Sequence, residues 1–313
     1  MPNHDSSSGC TRTFTDRHIH GIAGVDFATS HVAEIRAALE LLATRRTTGV
    51  TASLPTVTVD VVAATLDRLR GVYTAGALNG VHLEGPFLAS DYAGAHPHRA
   101  LLAPDSSAGR AFLETVLEHQ SVSSMVTMMT VAPELTGFKE LAARLVHHGI
   151  EPALGHTGAT YEQMLDGIDA VHALTGRPVV ITHLYNAMRG FHHRDPGPLL
   201  AVLEAAQSDR VIVELIADGH HVDFELIRWW FQHYPGAVRL VSDASAATNV
   251  ADRGPLVEKP PRLGHVLLRH DPQRGPRLAT GSTIASGGQD LLAIHEALVA
   301  ADFDHELICA AMR

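Results

Sequence analysis

The feature that most limits how this chain can fold is a regular alternation of short apolar segments with helical segments. Eight strands are predicted, at Thr13–Ile19, Gly49–Leu54, Leu78–Leu83, Ser124–Val131, Glu151–Gly155, Val179–His183, Val211–Ile216 and Val238–Ser242. Helices are predicted at His31–Arg46, Val59–Arg70, Ala108–His119, Pro133–His148, Tyr161–Gly167, Pro198–Ser208, Phe224–His233 and Gln289–Ala301. Such alternation favours parallel strands joined by crossover helices.

Eight strand–helix units within 313 residues predict a (β/α)8 barrel of the TIM type rather than an open doubly wound sheet. The phosphate-loop motifs GxGxxG and GxxxxGK[ST] are absent from the sequence, which disfavours the nucleotide-binding alternative. We interpret residues 13–313 as one barrel domain that follows a polar tail, Met1–Arg12. Two long connections, Gly85–Pro104 and Ala244–Ala285, depart from the simplest unit, and the second is predicted to contain a hairpin.

Charge and composition exclude several classes of protein. The 24 Lys and Arg residues against 34 Asp and Glu residues give a net charge of −10 without a basic run, which disfavours nucleic-acid binding. The sequence has neither an apolar run long enough to span a membrane nor a signal-peptide core, so we expect a cytoplasmic enzyme. Cys10 and Cys309 lie near opposite ends and form no CxxC motif. We therefore expect any metal to be held by histidine and carboxylate groups.

Ionisable side chains collect where the predicted strands end. They are His18 and His20 after the first strand, Glu84 after the third, His156 after the fifth, His183 after the sixth, His221 after the seventh and Asp243 after the eighth. Because the carboxyl ends of barrel strands face one shared cavity, these groups are expected to meet there. The two-residue period of a strand also places His18 and His20 on the same face, about 7 Å apart along the strand.

Each of these residues has a structural interpretation as well. Glu84 could be a surface carboxylate, His156 or His183 could bond a backbone carbonyl, and Asp243 could cap a helix. Their joint placement instead favours a divalent-metal site, in which Glu84, His156 and His183 leave one coordination position open. Such an ion lowers the pKa of bound water to about 7, and a nearby carboxylate can move the proton. The residues thus predict a metal-assisted amide or ester hydrolase.

Seven segments, in this order, resemble the N-acetylglucosamine-6-phosphate deacetylase family of the amidohydrolase superfamily. They are Asp16–Gly21, Val81–Phe87, Gly155–Tyr161, Thr182–Met188, His192–Gly197, Asp218–Val222 and Val241–Ala244. The strings HLEGPF, THLYNAM and HHRDPG are the most specific of these. The resemblance runs from about Thr13 to the C-terminus.

The resemblance implies a role for each matching residue. Glu84, His156 and His183 correspond to the ligands of the main metal, and His18 with His20 to a second metal pocket that only some members fill. Asp243 corresponds to the catalytic acid/base. The implied substrate contacts are His96 and His221 for the sugar, with His221 also polarising the acetyl carbonyl, and Asn186, Ala187 and Arg194 for the phosphate. Since this arginine can act across a subunit interface in the family, we expect a homodimer.

The implied reaction is hydrolysis of the 2-acetamido group of N-acetylglucosamine-6-phosphate, giving acetate and glucosamine-6-phosphate, with hydroxide on the metal as nucleophile. We expect one or two divalent ions in the site. Zn²⁺ is favoured, and Fe²⁺, Mn²⁺ and Co²⁺ are the alternatives. The alternatives are the same chemistry on N-acetylgalactosamine-6-phosphate, or a truncated non-catalytic remnant that binds sugar phosphate. A different amidohydrolase acting on a cyclic amide or an N-acyl amino acid is a third alternative.

Three features depart from the family pattern. Ala93 stands where the family often has lysine, and Thr157-Gly158 stands where it often has Ser-Asn. Family members also carry longer flanks before the first strand and after the last helix, and these flanks form a small β-sandwich domain. We therefore expect most of that domain to be absent.

Overall fold

The computed structural model describes residues 13–252, 260–271 and 275–313, so the predicted tail Met1–Arg12 lies outside the described residues. The eight main strands are β1 Phe14–Ile19, β2 Thr47–Leu54, β3 Gly80–Glu84, β4 Val126–Val131, β5 Glu151–Leu154, β6 Val179–Ile181, β7 Val211–Ile216 and β8 Val238–Val241. The α-helices are α1 Val32–Thr44, α2 Val59–Tyr73, α3 Ser107–Ser123, α4 Phe138–His147, α5 Tyr161–Thr175, α6 Gly197–Ala206, α7 Phe224–His233, α8 Leu291–Ala300 and α9 His305–Ala311.

The eight strands form one parallel sheet in which the spatial order equals the chain order. The sheet curves until β8 lies beside β1. At this seam the backbone N–H of Asp243 donates to the carbonyl of His18 at 2.8 Å, and the N–H of His20 donates to the carbonyl of Ala244 at 2.7 Å. The predicted (β/α)8 barrel is therefore confirmed, with apolar side chains packed between the sheet and its surrounding helices.

The predicted elements match the observed ones except at some of their ends. Helix α5 continues to Thr175, whereas the sequence predicted an end at Gly167. A Cβ atom at Gly167 would lie 2.6 Å from Cβ of Pro133, so this glycine permits close packing and does not stop the helix. The stop is Gly176, whose φ of +63° is the left-handed conformation common after a helix. Helix α9 was not predicted, because its seven residues are too few for a clear periodic pattern.

The long connection after β8 contains a small antiparallel sheet, which confirms the predicted hairpin. Its strands are β9 Arg262–Leu263, β10 Val266–Arg269 and β11 Arg277–Leu278. The turn residue Gly264 donates its N–H to Oδ2 of Asp26 at 2.7 Å. This bond fixes the hairpin to the short ladder of Gly21–Ile22 and Val25–Asp26, and so holds it over the mouth of the barrel.

Short 3-10 turns lie in some of the described loops, at Ser90–Tyr92, His98–Ala100, Pro235–Ala237 and Val250–Asp252. The first two lie in the predicted long connection after β3. None of the described helices has both the length and the apolar character needed to cross a membrane.

Candidate active site

The carboxyl ends of the barrel strands surround a cavity of about 220 Å³. Nine of the residues singled out in the sequence line it: His20, Glu84, His96, His156, His183, Asn186, Ala187, His221 and Asp243. His18 lies beneath the cavity and is fully buried. Arg194 is exposed and does not line the cavity. The barrel thus brings together every predicted site residue but Arg194.

Local backbone conformation turns three of these side chains inward. His156, His183 and Asp243 follow the ends of β5, β6 and β8 with φ values of +49°, +26° and +48°. Residues other than glycine seldom adopt this left-handed region, and such strain collects at functional sites. The chain therefore leaves each strand in an unfavourable conformation that directs a polar group toward the barrel axis.

Glu84 is the central acceptor of the site. Its Oε1 lies 2.9 Å from Nε2 of both His156 and His183, and its Oε2 lies 3.1 Å from Nε2 of His20 and 3.2 Å from Nε2 of His96. The hydroxyl of Thr56 donates to its backbone carbonyl at 2.9 Å. One buried carboxylate thus contacts histidines from four different segments of the chain.

The hydrogen-bond partners of two histidines fix where their protons are. Nδ1 of His156 lies 2.8 Å from the carbonyl of Tyr92, and Nδ1 of His20 lies 3.1 Å from the carbonyl of Ser53. A carbonyl only accepts, so each Nδ1 carries a proton, and in the neutral form of each ring the lone pair of Nε2 is directed toward Glu84. Lone pairs that face a carboxylate repel it unless a cation lies between them. The residues therefore fit a bound divalent ion.

The contacts of His18 and His183 agree with this interpretation. Nδ1 of His18 lies 3.3 Å from Oε2 of Glu214, while its Nε2 lies 3.5 Å from Oδ1 of Asp243. Within the described chain, Nε2 of His18 and Nδ1 of His183 have no hydrogen-bond partner although both atoms are buried. A buried nitrogen without a partner is costly, and a metal ion near His18 Nε2 would remove that cost.

His96 behaves differently from the other histidines around Glu84. The backbone N–H of Thr56 donates to its Nδ1 at 2.9 Å, so Nδ1 is the acceptor and Nε2 carries the proton. That proton points at Oε2 of Glu84 across 3.2 Å. His96 therefore donates to the carboxylate and offers no lone pair there, which separates it from the predicted metal ligands and agrees with a substrate-facing role.

Asp218 holds His221 at the edge of the cavity. Its Oδ2 lies 2.9 Å from Nδ1 of His221, its Oδ1 accepts the N–H groups of His220 and His221, and Gly288 donates to Oδ2 at 3.0 Å. Burial alone would lower the pKa of His221, but the bond to Asp218 raises it above its usual value. The imidazole is thereby fixed in orientation and favoured in its charged form.

The three residues predicted to bind phosphate are not assembled within one chain. Asn186 donates from Nδ2 to the carbonyls of His183 and Leu184 at 3.1 and 3.3 Å, and Ala187 follows it in the cavity wall. Arg194 lies in the exposed stretch that includes Phe191, whose side chain is 58% exposed. Of these three residues, Asn186 and Ala187 line the cavity and Arg194 does not.

His82 is a buried structural residue. Its ring nitrogens lie 2.9 Å from Oγ of Ser53 and 2.7 Å from Oγ1 of Thr130.

The departure from the family pattern at Gly158 has a physical reason, since a Cβ atom there would lie 2.6 Å from the ring of Tyr92. This close packing positions the segment whose carbonyl holds His156.

Sequence reasoning missed several residues of the site. Glu214 and Asp218, which orient His18 and His221, were not singled out, although a glutamate inside the apolar strand β7 was a usable signal. The hairpin and the segment before α8 add Leu263, Thr283, Ile284 and Ala285 to the cavity wall. No motif marks these residues, because tertiary packing alone brings them to the site.

Comparison with known proteins gives a consistent set of relatives, although no family model matches the chain. The N-acetylglucosamine-6-phosphate deacetylase of Danio rerio is 34% identical over 248 residues, which is 75% of this chain and 57% of that protein. This chain thus spans little more than half the length of the curated relatives it matches.

The crystal structure of the N-acetyl-D-glucosamine-6-phosphate deacetylase from Mycobacterium smegmatis superposes with a TM-score of 0.82 at 32% identity, covering 96% of this chain and 75% of that one. A mutant of that enzyme, in complex with N-acetyl-D-glucosamine-6-phosphate, gives a TM-score of 0.81 at 31% identity, covering 96% of this chain and 74% of that one.

Proposed function

Because this chain belongs to the N-acetylglucosamine-6-phosphate deacetylase family, we propose that it hydrolyses the 2-acetamido group of N-acetylglucosamine-6-phosphate to acetate and glucosamine-6-phosphate. The observation that carries the proposal is the convergence of imidazole lone pairs on Glu84 in one cavity with Asp243. Site chemistry rather than fold alone supports it, since barrels host many reactions.

The ligand set supports a divalent ion, with Zn²⁺ favoured among ions that accept nitrogen and oxygen ligands. Glu84, His156 and His183 would hold the main ion, and His18 with His20 would hold a second. When bound, such an ion lowers the pKa of water and polarises a carbonyl. The carbonyl of Tyr92 and the side chain of Glu214 fix the rings, so that the lone pairs stay aimed at the ion.

Asp243 is the proton carrier of the proposed reaction. Its Oδ1 lies 3.2 Å from Nε2 of His20, beside the proposed ions, and its carboxylate lines the cavity. There it can take a proton from the attacking water and return it to the departing amine nitrogen. His221, fixed by Asp218, would donate to the acetyl oxygen as negative charge develops on it.

The remaining contacts support a small phosphorylated sugar as substrate. The cavity of about 220 Å³ is smaller than the range of about 300–1,000 Å³ common for drug-sized ligands, and therefore suits a monosaccharide better than a polymer. His96 would contact the sugar, and Asn186 with Ala187 would contact the phosphate. The exposed Arg194 would reach the phosphate of a partner subunit, which makes a homodimer part of the proposal.

The test is release of free amino sugar from N-acetylglucosamine-6-phosphate by metal-stripped protein reloaded with Zn²⁺, Fe²⁺ or Mn²⁺. We expect turnover that a chelator abolishes. A folded sample inactive with all three ions would contradict the proposal and favour a sugar-phosphate-binding remnant. N-acetylgalactosamine-6-phosphate, assayed in parallel, decides between the two sugars, because they differ in the orientation of a single hydroxyl.

A further inference from the structure

A second group of metal-ligating side chains lies away from the catalytic cavity. Sγ of Cys309 is 3.8 Å from Nε2 of His305 and 4.0 Å from Nε2 of His295. One donor atom from each of the three residues lies within 4.8 Å of the others. We call these three residues the Cys309 cluster. The proposed hydrolysis uses none of them.

The Cys309 cluster sits at the opposite end of the barrel from the catalytic site. The ring of His295 lies 5.4 Å from the ring of Phe14, the residue that begins β1, whereas His18 and His20 lie at the other end of that strand. The N–H of Thr15 donates to the carbonyl of Met312 at 2.8 Å, which holds the end of α9 against the same strand. The two sites are therefore separated by the length of β1.

Helix geometry assembles the cluster. His305 and Cys309 are four residues apart on α9 and so share one face, and α8 packs against α9 and supplies His295. The side chains of Cys309 and His295 are buried and that of His305 is half-buried. Two ligands are thus shielded from solvent and the third lies where an ion can enter.

The two sulfur–nitrogen distances in the Cys309 cluster are close to those of a tetrahedral site. With Zn–S of about 2.3 Å and Zn–N of about 2.0–2.1 Å, tetrahedral angles put sulfur and nitrogen ligands about 3.6 Å apart. The observed separations of 3.8 and 4.0 Å need only a small movement of the half-buried His305 side of the cluster. We propose that Cys309, His295 and His305 form a structural site for Zn²⁺ or a similar divalent ion, with water as a fourth ligand.

Some charged groups near the Cys309 cluster favour metal binding and others oppose it. Burial lowers the pKa of His295, and His305 and Arg46 lower it further, which keeps the ring neutral as metal binding requires. The guanidinium of Arg46 lies 4.8 Å from the ring centre of Phe14 and opposes a second cation. A thiolate at Cys309 offsets that repulsion, whereas Glu296 raises the pKa of His295 and so opposes the neutral ring.

Cobalt binding tests this site without reference to activity. Co²⁺ bound by thiolate gives a sulfur-to-metal charge-transfer absorption, and the cavity residues described around Glu84 include no cysteine. We expect metal-free protein titrated with Co²⁺ to develop this band, Zn²⁺ to abolish it by displacement, and Cys309→Ser to lack it while binding one ion fewer per chain. His305→Gln, a milder change at the half-buried ligand, should also lose the band.

Two control variants keep the test decisive. Cys10→Ser removes the other cysteine of the sequence, and His172→Gln alters a half-buried helix histidine whose Nδ1 lies 2.8 Å from the carbonyl of Arg177. Both should keep the band. Absence of the band in the wild-type chain, or a band that survives Cys309→Ser and His305→Gln, would overturn the proposal. Because the readout is the thiolate band, it is independent of whether the chain deacetylates its proposed substrate.

Discussion

His18 and Glu214 face each other inside the barrel, with Nδ1 of the imidazole 3.3 Å from Oε2 of the carboxylate and neither side chain exposed to solvent. The other carboxylate oxygen of Glu214 lies 3.7 Å from Nη1 of Arg239. A carboxylate at Nδ1 keeps the proton on that nitrogen and leaves Nε2 as the atom that faces Asp243 and Glu84. Glu214 is thus a positioning residue for the proposed second metal pocket.

We expect Glu214→Gln to weaken metal binding at His18. The amide preserves volume but removes the charge that fixes the ring, and loss of such an outer contact typically costs about 10–100-fold in metal affinity. Metal titration of the stripped protein would measure the loss. Glu225→Gln, on the exposed face of α7, serves as the control, and equal affinities in the two variants would show that Glu214 does not orient His18.

His18→Gln tests whether the site holds one ion or two. The change leaves Glu84, His156 and His183 in place, so the main ion should stay while a second ion at His18 and His20 is lost. Elemental analysis of the loaded variant should then give one ion fewer per chain than the wild type. An unchanged ratio would eliminate the second-ion proposal.

Asp243→Asn should remove the proton carrier but not the metal. Loss of a general acid–base group typically costs about 10²–10⁴-fold in rate, and asparagine keeps both the shape of the side chain and the backbone bond to His18. The experiment measures kcat, metal content and sugar-phosphate binding for the variant and for the wild type. A variant that keeps wild-type kcat would remove Asp243 from the mechanism.

Arg194→Ala should discriminate between phosphorylated and plain substrates. Hydrogen bonds to charged groups contribute about 1.5–3 kcal/mol, which corresponds to about 10–150-fold in kcat/KM. We expect that loss for N-acetylglucosamine-6-phosphate and almost none for N-acetylglucosamine. Arg177→Ala, on the loop between α5 and β6, should alter neither. Measuring the molecular mass in solution at the same time tests the dimer, since a fully active monomer would exclude phosphate binding across an interface.

Asp26→Asn should change how stability depends on pH. Burial raises the pKa of Asp26 to about 6 in the folded chain, so the folded state holds this proton more tightly than the unfolded state does. The wild type therefore loses up to about 3 kcal/mol of unfolding free energy, relative to the variant, as pH rises from about 4 to about 6. Asparagine can still accept from Gly264. Urea unfolding of both proteins across this range measures the difference, and parallel curves would show that the carboxyl titrates normally.

The sequence predicted the barrel because strand and helix periods alternate without interruption from Thr13 onward. It predicted most of the site for a geometric reason, since residues that follow parallel strands must meet at one end of a barrel. Glu84, His156, His183 and Asp243 needed no further information. Their hydrogen-bond partners, such as the carbonyl of Tyr92, are backbone atoms that carry no signature in the sequence.

Other features depend on packing between distant segments, and the sequence could not predict them. Gly167 looked like the end of a helix because its close approach to Pro133 is a tertiary contact. The grouping of Cys309 with His295 follows from the way α8 meets α9, so the spacing of cysteines alone argued against any thiolate site. The exposed position of Arg194 likewise depends on a loop whose course no periodic pattern describes.

The seam between β1 and β8 has a consequence for how the site is made. His18 lies on the first barrel strand to leave the ribosome, and Asp243 follows the last, so the two meet only after all eight strands have been synthesised and the sheet has closed. A chain that ends before β8 lacks Asp243, the proposed proton carrier. The proposed hydrolytic activity should therefore arise in a single late event, after the sheet has closed.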